Sequence, residues 1–240
     1  MNPIVLIPAR MAATRLPGKP LADIGGIPMV VRVLRQAQAA GVGPVAVAAG
    51  DPEIVAAVEA AGGRAVLTDP DLPSGSDRIL AALAELDPAG AHDVVLNVQG
   101  DMPFVAPSVL RDTAGLLAER PDCDIATVVA PEGSLADRTN PDVVKAVLAA
   151  TGRALYFTRS TLYGEGPIWR HVGIYGYRRG ALETFNSTGP SPLERREKLE
   201  QLRAMELGLS IWAAVAGEAP ISVDSPADLE RARQYARTLP

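Results

Sequence analysis

The chain has 240 residues, 48% of them hydrophobic and 21% charged, enough apolar material to bury a sizeable core and too much for a disordered segment. Its 23 Lys and Arg against 28 Asp and Glu leave a net charge of −5, the wrong sign for gripping nucleic-acid backbones through the overall field. One cysteine, Cys123, and two histidines, His92 and His171, exclude an internal disulfide and a His/Cys zinc site, so any metal is a hard cation on carboxylates. In chain order, Ile4–Ile7 reads as a strand, Pro28–Ala40 as a helix ended by Gly41, and Val45–Ala49 as a second strand. Pro52–Ala61 follows as a helix ended by Gly62-Gly63, then the Ala65–Leu67 strand, the Asp77–Leu86 helix, the Val94–Val98 strand and the Pro107–Glu119 helix. Strands apolar along their whole length, separated by helices, are the pattern of a parallel sheet covered on both faces, so a doubly wound α/β sheet is expected.

After residue 120 the rhythm changes. Ala126–Ala130, Val144–Leu148, Val172–Tyr177 and Ile211–Val215 look like strands at hairpin-like spacing, expected to add antiparallel or edge strands to the same sheet. The last helix has a clear start: Ser225 as N-cap, Pro226 at the first helical position, and Asp228 as the capping-box acid, which pins Asp224 just before it. No uncharged run approaches the roughly 20 apolar residues that span a bilayer, and the N-terminus lacks a basic segment ahead of its short apolar run, so a cytoplasmic protein without membrane insertion is expected.

Two segments carry chemistry. The stretch from Pro8 to Ala22 follows the first strand directly and holds Arg10, Arg15 and Lys19 with no acid. At the carboxyl end of a parallel strand such a loop can surround a polyphosphate, although the same charges suit a solvated basic loop. Its spacing matches neither G-x-G-x-x-G nor the P-loop G-x-x-x-x-G-K-[ST], which argues against a dinucleotide oxidoreductase and a P-loop NTPase. The second segment ends the Val94–Val98 strand with Gln99-Gly100-Asp101, where a carboxylate can hold Mg²⁺ against nucleotide phosphates, or where Gly-Asp simply makes a turn. Asp224 is the best candidate for a second metal ligand, with helix capping as its alternative role.

Pro8-Ala9-Arg10, Thr14 to Leu21, Ser74-Gly75-Ser76-Asp77-Arg78, Asn97 to Asp101, Asn140-Pro141 and Tyr156 to Arg159 together resemble the 3-deoxy-D-manno-octulosonate (Kdo) cytidylyltransferases. Arg170 to Arg178, Ser191 to Glu194, Leu199 to Arg203 and Val223 to Pro226 extend the resemblance over nearly the whole chain. It implies a Rossmann-like nucleotidyltransferase fold in one domain, 1–240. Residues 1–125 would form the nucleotide-binding part, 126–220 the sugar-binding and dimerisation part, and 221–240 a C-terminal helix returning to the site.

The implied reaction is Mg²⁺-dependent transfer of CMP from CTP to the anomeric C2 hydroxyl of Kdo, releasing pyrophosphate and supplying lipopolysaccharide synthesis. Arg10, Arg15 and Lys19 would neutralise the triphosphate, with Pro8, Ala9, Ser74, Gly75 and Arg78 completing the nucleotide site, and Asp101 and Asp224 would ligate the metal. Gln99, Arg159, His171, Tyr175, Glu200 and Gln201 match the family's sugar-binding set. A homodimer is implied as well. Leu72 stands where the family usually has His, Gly50 where it often has Thr, and Ser222 where Gly usually precedes Val223. Transfer onto a related sugar acid, and a catalytically silent nucleotide-binding protein, are the competing readings.

Overall fold

The computed structural model describes residues 1–12, 15–132, 134–162, 164 and 168–239. They fall into two compact units, Met1–Arg111 with Pro220–Pro240, and Asp112–Ala219. In the first unit the chain runs β1 (Pro3–Ala9), the short hairpin β2 (Asp23–Ile24) and β3 (Ile27–Pro28), α1 (Met29–Ala40), β4 (Val45–Ala49), α2 (Pro52–Ala60), β5 (Ala65–Leu67), α3 (Gly75–Leu86) and β6 (Val94–Asn97). Helix α4 (Pro107–Glu119) carries the unit boundary. The β1/β4, β1/β6 and β4/β5 pairings are all parallel. Since β1, β4 and β6 are almost wholly buried, mostly apolar residues, both faces of this part of the sheet are covered, as the unbroken Val, Ile and Ala runs require.

This order decides where a ligand can sit. The chain leaves β1, builds outward through β4 and β5, then crosses back to lay β6 against the other side of β1. The carboxyl ends of β1 and β6 therefore diverge at a topological switch point, where open parallel sheets leave a crevice. Both segments singled out in the sequence emerge there. Gly100 fits this place because a Cβ on it would lie 2.9 Å from the Pro8 carbonyl oxygen.

The second unit contains β7 (Ile125–Glu132), α5 (Leu135–Thr139), β8 (Lys145–Leu148), β9 (Ala154–Thr158), β10 (Ile168–Arg178), α6 (Arg179–Asn186), α7 (Pro192–Glu197), α8 (Gln201–Glu206) and β11 (Ile211–Val215). Here β10 pairs antiparallel with β7 and β8, β8 antiparallel with β9, and β11 parallel with β7. The architecture is thus mixed α/β and mainly parallel, and apart from the small antiparallel β2/β3 hairpin the antiparallel strands lie in the second half, as expected. Between β7 and β10 the register slips: Val128 faces Val172 but Thr127 faces Tyr175, so Gly173 and Ile174 bulge out of the ladder.

The chain ends in the first unit as α9 (Pro226–Thr238), whose Ser225/Asp228 capping box is fully formed. Its inner face packs Leu229 and Ala232 with Val223, Ile24 and Met29, so the residues just ahead of the helix are held against the β2–α1 corner. Among the described residues no helix is long and apolar enough to cross a membrane.

Candidate active site

A cavity of about 330 Å³ opens at the switch point. Residues of the loop after β1, the start of α3, the end of β6 and the segment before α9 line it. The loop is shaped from within and anchored from outside. Gly18, in the left-handed region at φ 71°, donates its N–H to the Met11 carbonyl at 3.2 Å, and a single 3-10 turn at Lys19–Leu21 then carries Lys19 inward. At the other end the Asp51 carboxylate accepts the Met11 N–H at 2.7 Å. Ala13 and Thr14 of this loop lie outside the described residues.

Lys19 is the centre of the arrangement. Its Nζ lies 2.9 Å from Asp101 Oδ2 and 3.3 Å from Asp224 Oδ1, and Arg15 reaches the same Asp224 oxygen at 3.4 Å. Asp224 is brought there by the α9 cap behind it and by the Val223 N–H, which donates to the Asp101 carbonyl at 2.9 Å. The other Asp101 oxygen, Oδ1, is buried with no hydrogen-bond partner among the described residues. Burial pushes the Asp101 carboxyl above its ordinary range, and the Lys19 ammonium opposes that. One carboxylate oxygen left bare and two more sharing an ammonium make a cation-binding corner. It suits a hard divalent ion held by one or two carboxylates with substrate phosphates completing the shell. Among the described residues no group of three or more His, Cys, Asp or Glu side chains offers a separate all-protein cage.

Arg10, exposed, and Arg78, buried, contribute the remaining cations of the cavity. The Arg78 guanidinium is committed: it donates to Thr68 Oγ1 at 2.6 Å and to the Asp69 and Pro70 carbonyls at 3.0 and 3.1 Å. Ser74 is committed too, capping α3 by accepting the Asp77 N–H and donating to Asp77 Oδ2 at 2.6 Å. What the Ser74-Gly75 corner offers a ligand is therefore backbone, at a helix N-terminus. Pro8, Ala9, Gln99 and Leu72 complete the wall, so Gln99, expected with the sugar set, lies with the nucleotide set in the first unit.

The other five sugar candidates belong to the second unit. Four residues of extended strand span about 13 Å, yet the His171 and Tyr175 rings stand 5.5 Å apart, because the Gly173-Ile174 bulge shortens the path between them. Phe157 packs edge-on to His171 at 5.0 Å. Burial holds the His171 imidazole neutral, lowering its pKa to about 3, and holds the Tyr175 phenol protonated. Arg159 is partly exposed, its Nη1 donating to the Pro141 carbonyl at 3.0 Å and its N–H to Glu197 at 3.3 Å. Glu200 is exposed immediately before α8, and Gln201, its first residue, is buried with Nε2 unpartnered among the described residues. The α7–α8 corner behind them is fixed by a buried bidentate pair, Arg203 on Glu194 at 2.8 and 3.1 Å.

The sequence profile of the family described as Cytidylyltransferase matches residues 4–211. A 3-deoxy-manno-octulosonate cytidylyltransferase of Parvibaculum lavamentivorans is 58% identical over 97% of this chain and 92% of its own length. One of Rhodospirillum centenum is 56% identical over the same shares. The chain belongs to the 3-deoxy-manno-octulosonate cytidylyltransferase family. It is a nucleotidyltransferase by that membership. A solved structure of CMP:2-keto-3-deoxy-manno-octonic acid synthetase complexed with CTP superposes with a TM-score of 0.93 at 36% identity, each chain covered completely. A cytidylyltransferase of Leptospira borgpetersenii, at 17% identity and a TM-score of 0.68 over 100% of this chain and 88% of its own, shares the fold.

Three residues of this cytidylyltransferase that shape its site escaped the sequence reading as participants. Asp51 sits at a strand end, the position that flagged Asp101, and could have been found the same way. Lys145 is a cation inside an apolar strand; it is fully buried and donates to the Asn140, Val143 and Arg159 carbonyls at 2.8, 2.8 and 2.9 Å. Thr127 carries no signal, since its role depends on a bulge in the facing strand.

Proposed function

We propose that the chain transfers CMP from CTP to the anomeric C2 hydroxyl of Kdo, a Mg²⁺-dependent reaction of the cytoplasm that supplies lipopolysaccharide synthesis, and that it works as a homodimer. The observation that carries the reading is the Lys19 ammonium held between Asp101 and Asp224 in the wall of a cationic switch-point cavity. A cavity built only to hold a nucleotide has no need of two carboxylates converging beside the phosphate-binding cations.

The bond that forms joins the C2 oxygen to the α-phosphorus, the bond that breaks is that between the α-phosphorus and the bridging oxygen of the leaving pyrophosphate, and the hydroxyl proton is released to pyrophosphate or solvent. A loose phosphoryl-type transition state asks for neutralised charge and in-line placement more than covalent help. Arg10, Arg15 and Lys19 spread positive charge over the triphosphate, and the backbone at Ser74-Gly75 reads the base. Asp101 and Asp224 would hold Mg²⁺, with the bare Asp101 Oδ1 as the free donor. When bound, the metal supplies Lewis-acid polarisation of phosphate and sugar oxygens. Gln99, in the cavity wall, would offer a further amide contact to the sugar acid. Arg159 provides the cation for the sugar-acid carboxylate, and Tyr175, Glu200 and the unpaired amide of Gln201 provide hydroxyl contacts.

The test is pyrophosphate release by purified protein with Kdo and each of the four nucleoside triphosphates, with and without Mg²⁺. Release with CTP and Kdo alone, lost without metal, supports the reading. Release only with another sugar acid overturns the acceptor, and CTP binding without release under any pairing overturns the enzymatic reading.

A further inference from the structure

His171 is the one histidine among the sugar candidates, and an imidazole can serve a sugar acid in two opposite ways. Protonated, it is a counter-ion for the carboxylate. Neutral, it is a donor at one nitrogen and an acceptor at the other, and which is which depends on what holds it.

The holder is Thr127, a wholly buried residue of β7. Its Oγ1 lies 2.9 Å from His171 Nε2, 2.9 Å from the Ile174 carbonyl oxygen and 3.5 Å from that of Val172. A hydroxyl has one proton, and a carbonyl oxygen can only accept. The Thr127 proton is therefore committed to Ile174, the carbonyl that the Gly173-Ile174 bulge turns toward it, and only oxygen lone pairs remain for the imidazole. The shared contact is then satisfied in one way, with Nε2–H donating to Thr127. That leaves Nδ1 unprotonated, and it has no hydrogen-bond partner among the described residues. The ring cannot readily turn away, for Phe157 and Tyr175 pack at 5.0 and 5.5 Å from it and the His171 N–H is tied to the Val144 carbonyl at 2.8 Å.

We infer that Thr127 is a positioning residue that locks His171 in the Nε2–H tautomer, so that Nδ1 presents an acceptor to a hydroxyl of the sugar acid and the carboxylate is left to an arginine. This rests on the reading of the second unit as the sugar-binding half. The consequence is selectivity of a definite kind: a fixed acceptor rewards a hydroxyl donor at one place on the polyol chain, and an analogue that is deoxygenated there leaves Nδ1 unpaired.

With only two histidines in the chain, the tautomer can be read directly from long-range proton–nitrogen correlations of the ¹⁵N-labelled full-length protein, His171 being assigned through His92→Gln. In wild type without ligands, His171 should show a protonated Nε2 and a bare Nδ1, and addition of Kdo with CTP should move the Nδ1 resonance. Thr127→Ser, which keeps the hydroxyl, should preserve the tautomer. Thr127→Val, nearly the same shape, should give a mixture of tautomers and raise KM for Kdo by about tenfold, the loss of one oriented hydrogen bond. Its KM for CTP should hold. A protonated Nδ1 in wild type overturns the proposal, as does an unchanged tautomer in a folded Thr127→Val. An Nδ1 resonance indifferent to Kdo in an enzyme that turns Kdo over overturns the acceptor role specifically. If wild type releases no pyrophosphate with Kdo, the reading of the function has failed instead, and the ligand-free tautomer still tests the Thr127 lock by itself.

Discussion

Lys145 offers a strong test of how the strands of the second unit are held. It is fully buried, has no carboxylate partner among its hydrogen bonds, and places its three ammonium protons on three backbone carbonyls at 2.8 to 2.9 Å. Replacing it with Met keeps most of the volume and deletes the donors. The Asn140 carbonyl retains the Val143 N–H at 3.2 Å, whereas Val143 and Arg159 lose the donor that satisfies them. Two acceptors left bare, that of Val143 buried and that of Arg159 part-buried, cost up to about 1–3 kcal/mol each, or about 2–6 kcal/mol together. Against this, an ammonium no longer has to be dehydrated, a relief in the same direction as the burial that lowers the Lys145 pKa. The expected net loss is about 2–4 kcal/mol, read as a lower urea midpoint at unchanged slope. Because one freed carbonyl belongs to Arg159, KM for Kdo should rise while CTP affinity, set in the first unit, should hold. A Met variant as stable as wild type would refute the reasoning, since dehydration of the ammonium would then outweigh the three bonds.

Other outcomes follow from single contacts. The partly buried His171 takes a proton only near pH 3, while an unfolded histidine does so near 6.5, so its contribution to stability is complete above the upper value and declines on acidification through this window. The slope is at most about 1.4 kcal/mol per pH unit, and His171→Gln should flatten that part of a pH–stability profile measured in urea. Asp101→Asn should lower kcat by a factor on the order of 10²–10³, as when one transition-state contact is removed, yet leave the far-UV spectrum and urea midpoint nearly unchanged because Lys19 keeps Asp224 at 3.3 Å; wild-type turnover in steady-state assays would remove Asp101 from the metal role. A Cβ at Gly50 would lie 2.8 Å from Arg78 Nη1 and 3.1 Å from Arg10 Cβ, and Arg78 is tied down by three bonds, so Gly50→Ala should raise KM for CTP several-fold without touching KM for Kdo. Cys123 is wholly buried with its thiol pushed up to about 12, so a disulfide reagent should find no thiol in the native protein and one equivalent after unfolding.

What could be read in advance divides by the distance over which each residue acts. The buried strands of the first unit declare themselves as apolar runs because both their faces are covered, and Ala65–Leu67 and Val45–Ala49 match residue for residue, as does Ile211–Val215 in the second unit. The Ser225-Pro226-Asp228 cap is local chemistry and was legible in full. Helix α3 begins two residues before the expected Asp77, since Ser74-Gly75 reads as a turn until Ser74 is seen to cap it. Strand β9 was missed as a strand: with Leu155 exposed and Tyr156 half-buried it has no clean alternation, and it exists because it completes a hairpin with β8.

The site divides in the same way. Lys19, Asp101 and Asp224 could be nominated separately because a basic loop, a strand-end acid and a residue pinned by a helix cap each have a local signature. Their convergence within 3.3 Å depends on β6 crossing back beside β1 and on Val223 bonding to Asp101, contacts between residues more than 80 positions apart. Thr127 and Lys145 have no such signature, because neither touches the ligand in the proposed arrangement: each saturates carbonyls that a bulge or a loop has left without donors. Short polar or charged residues inside apolar strands are therefore the places to look for positioning roles. The backbone irregularity that a binding strand needs leaves unsatisfied carbonyls behind, and a buried side chain has to answer them.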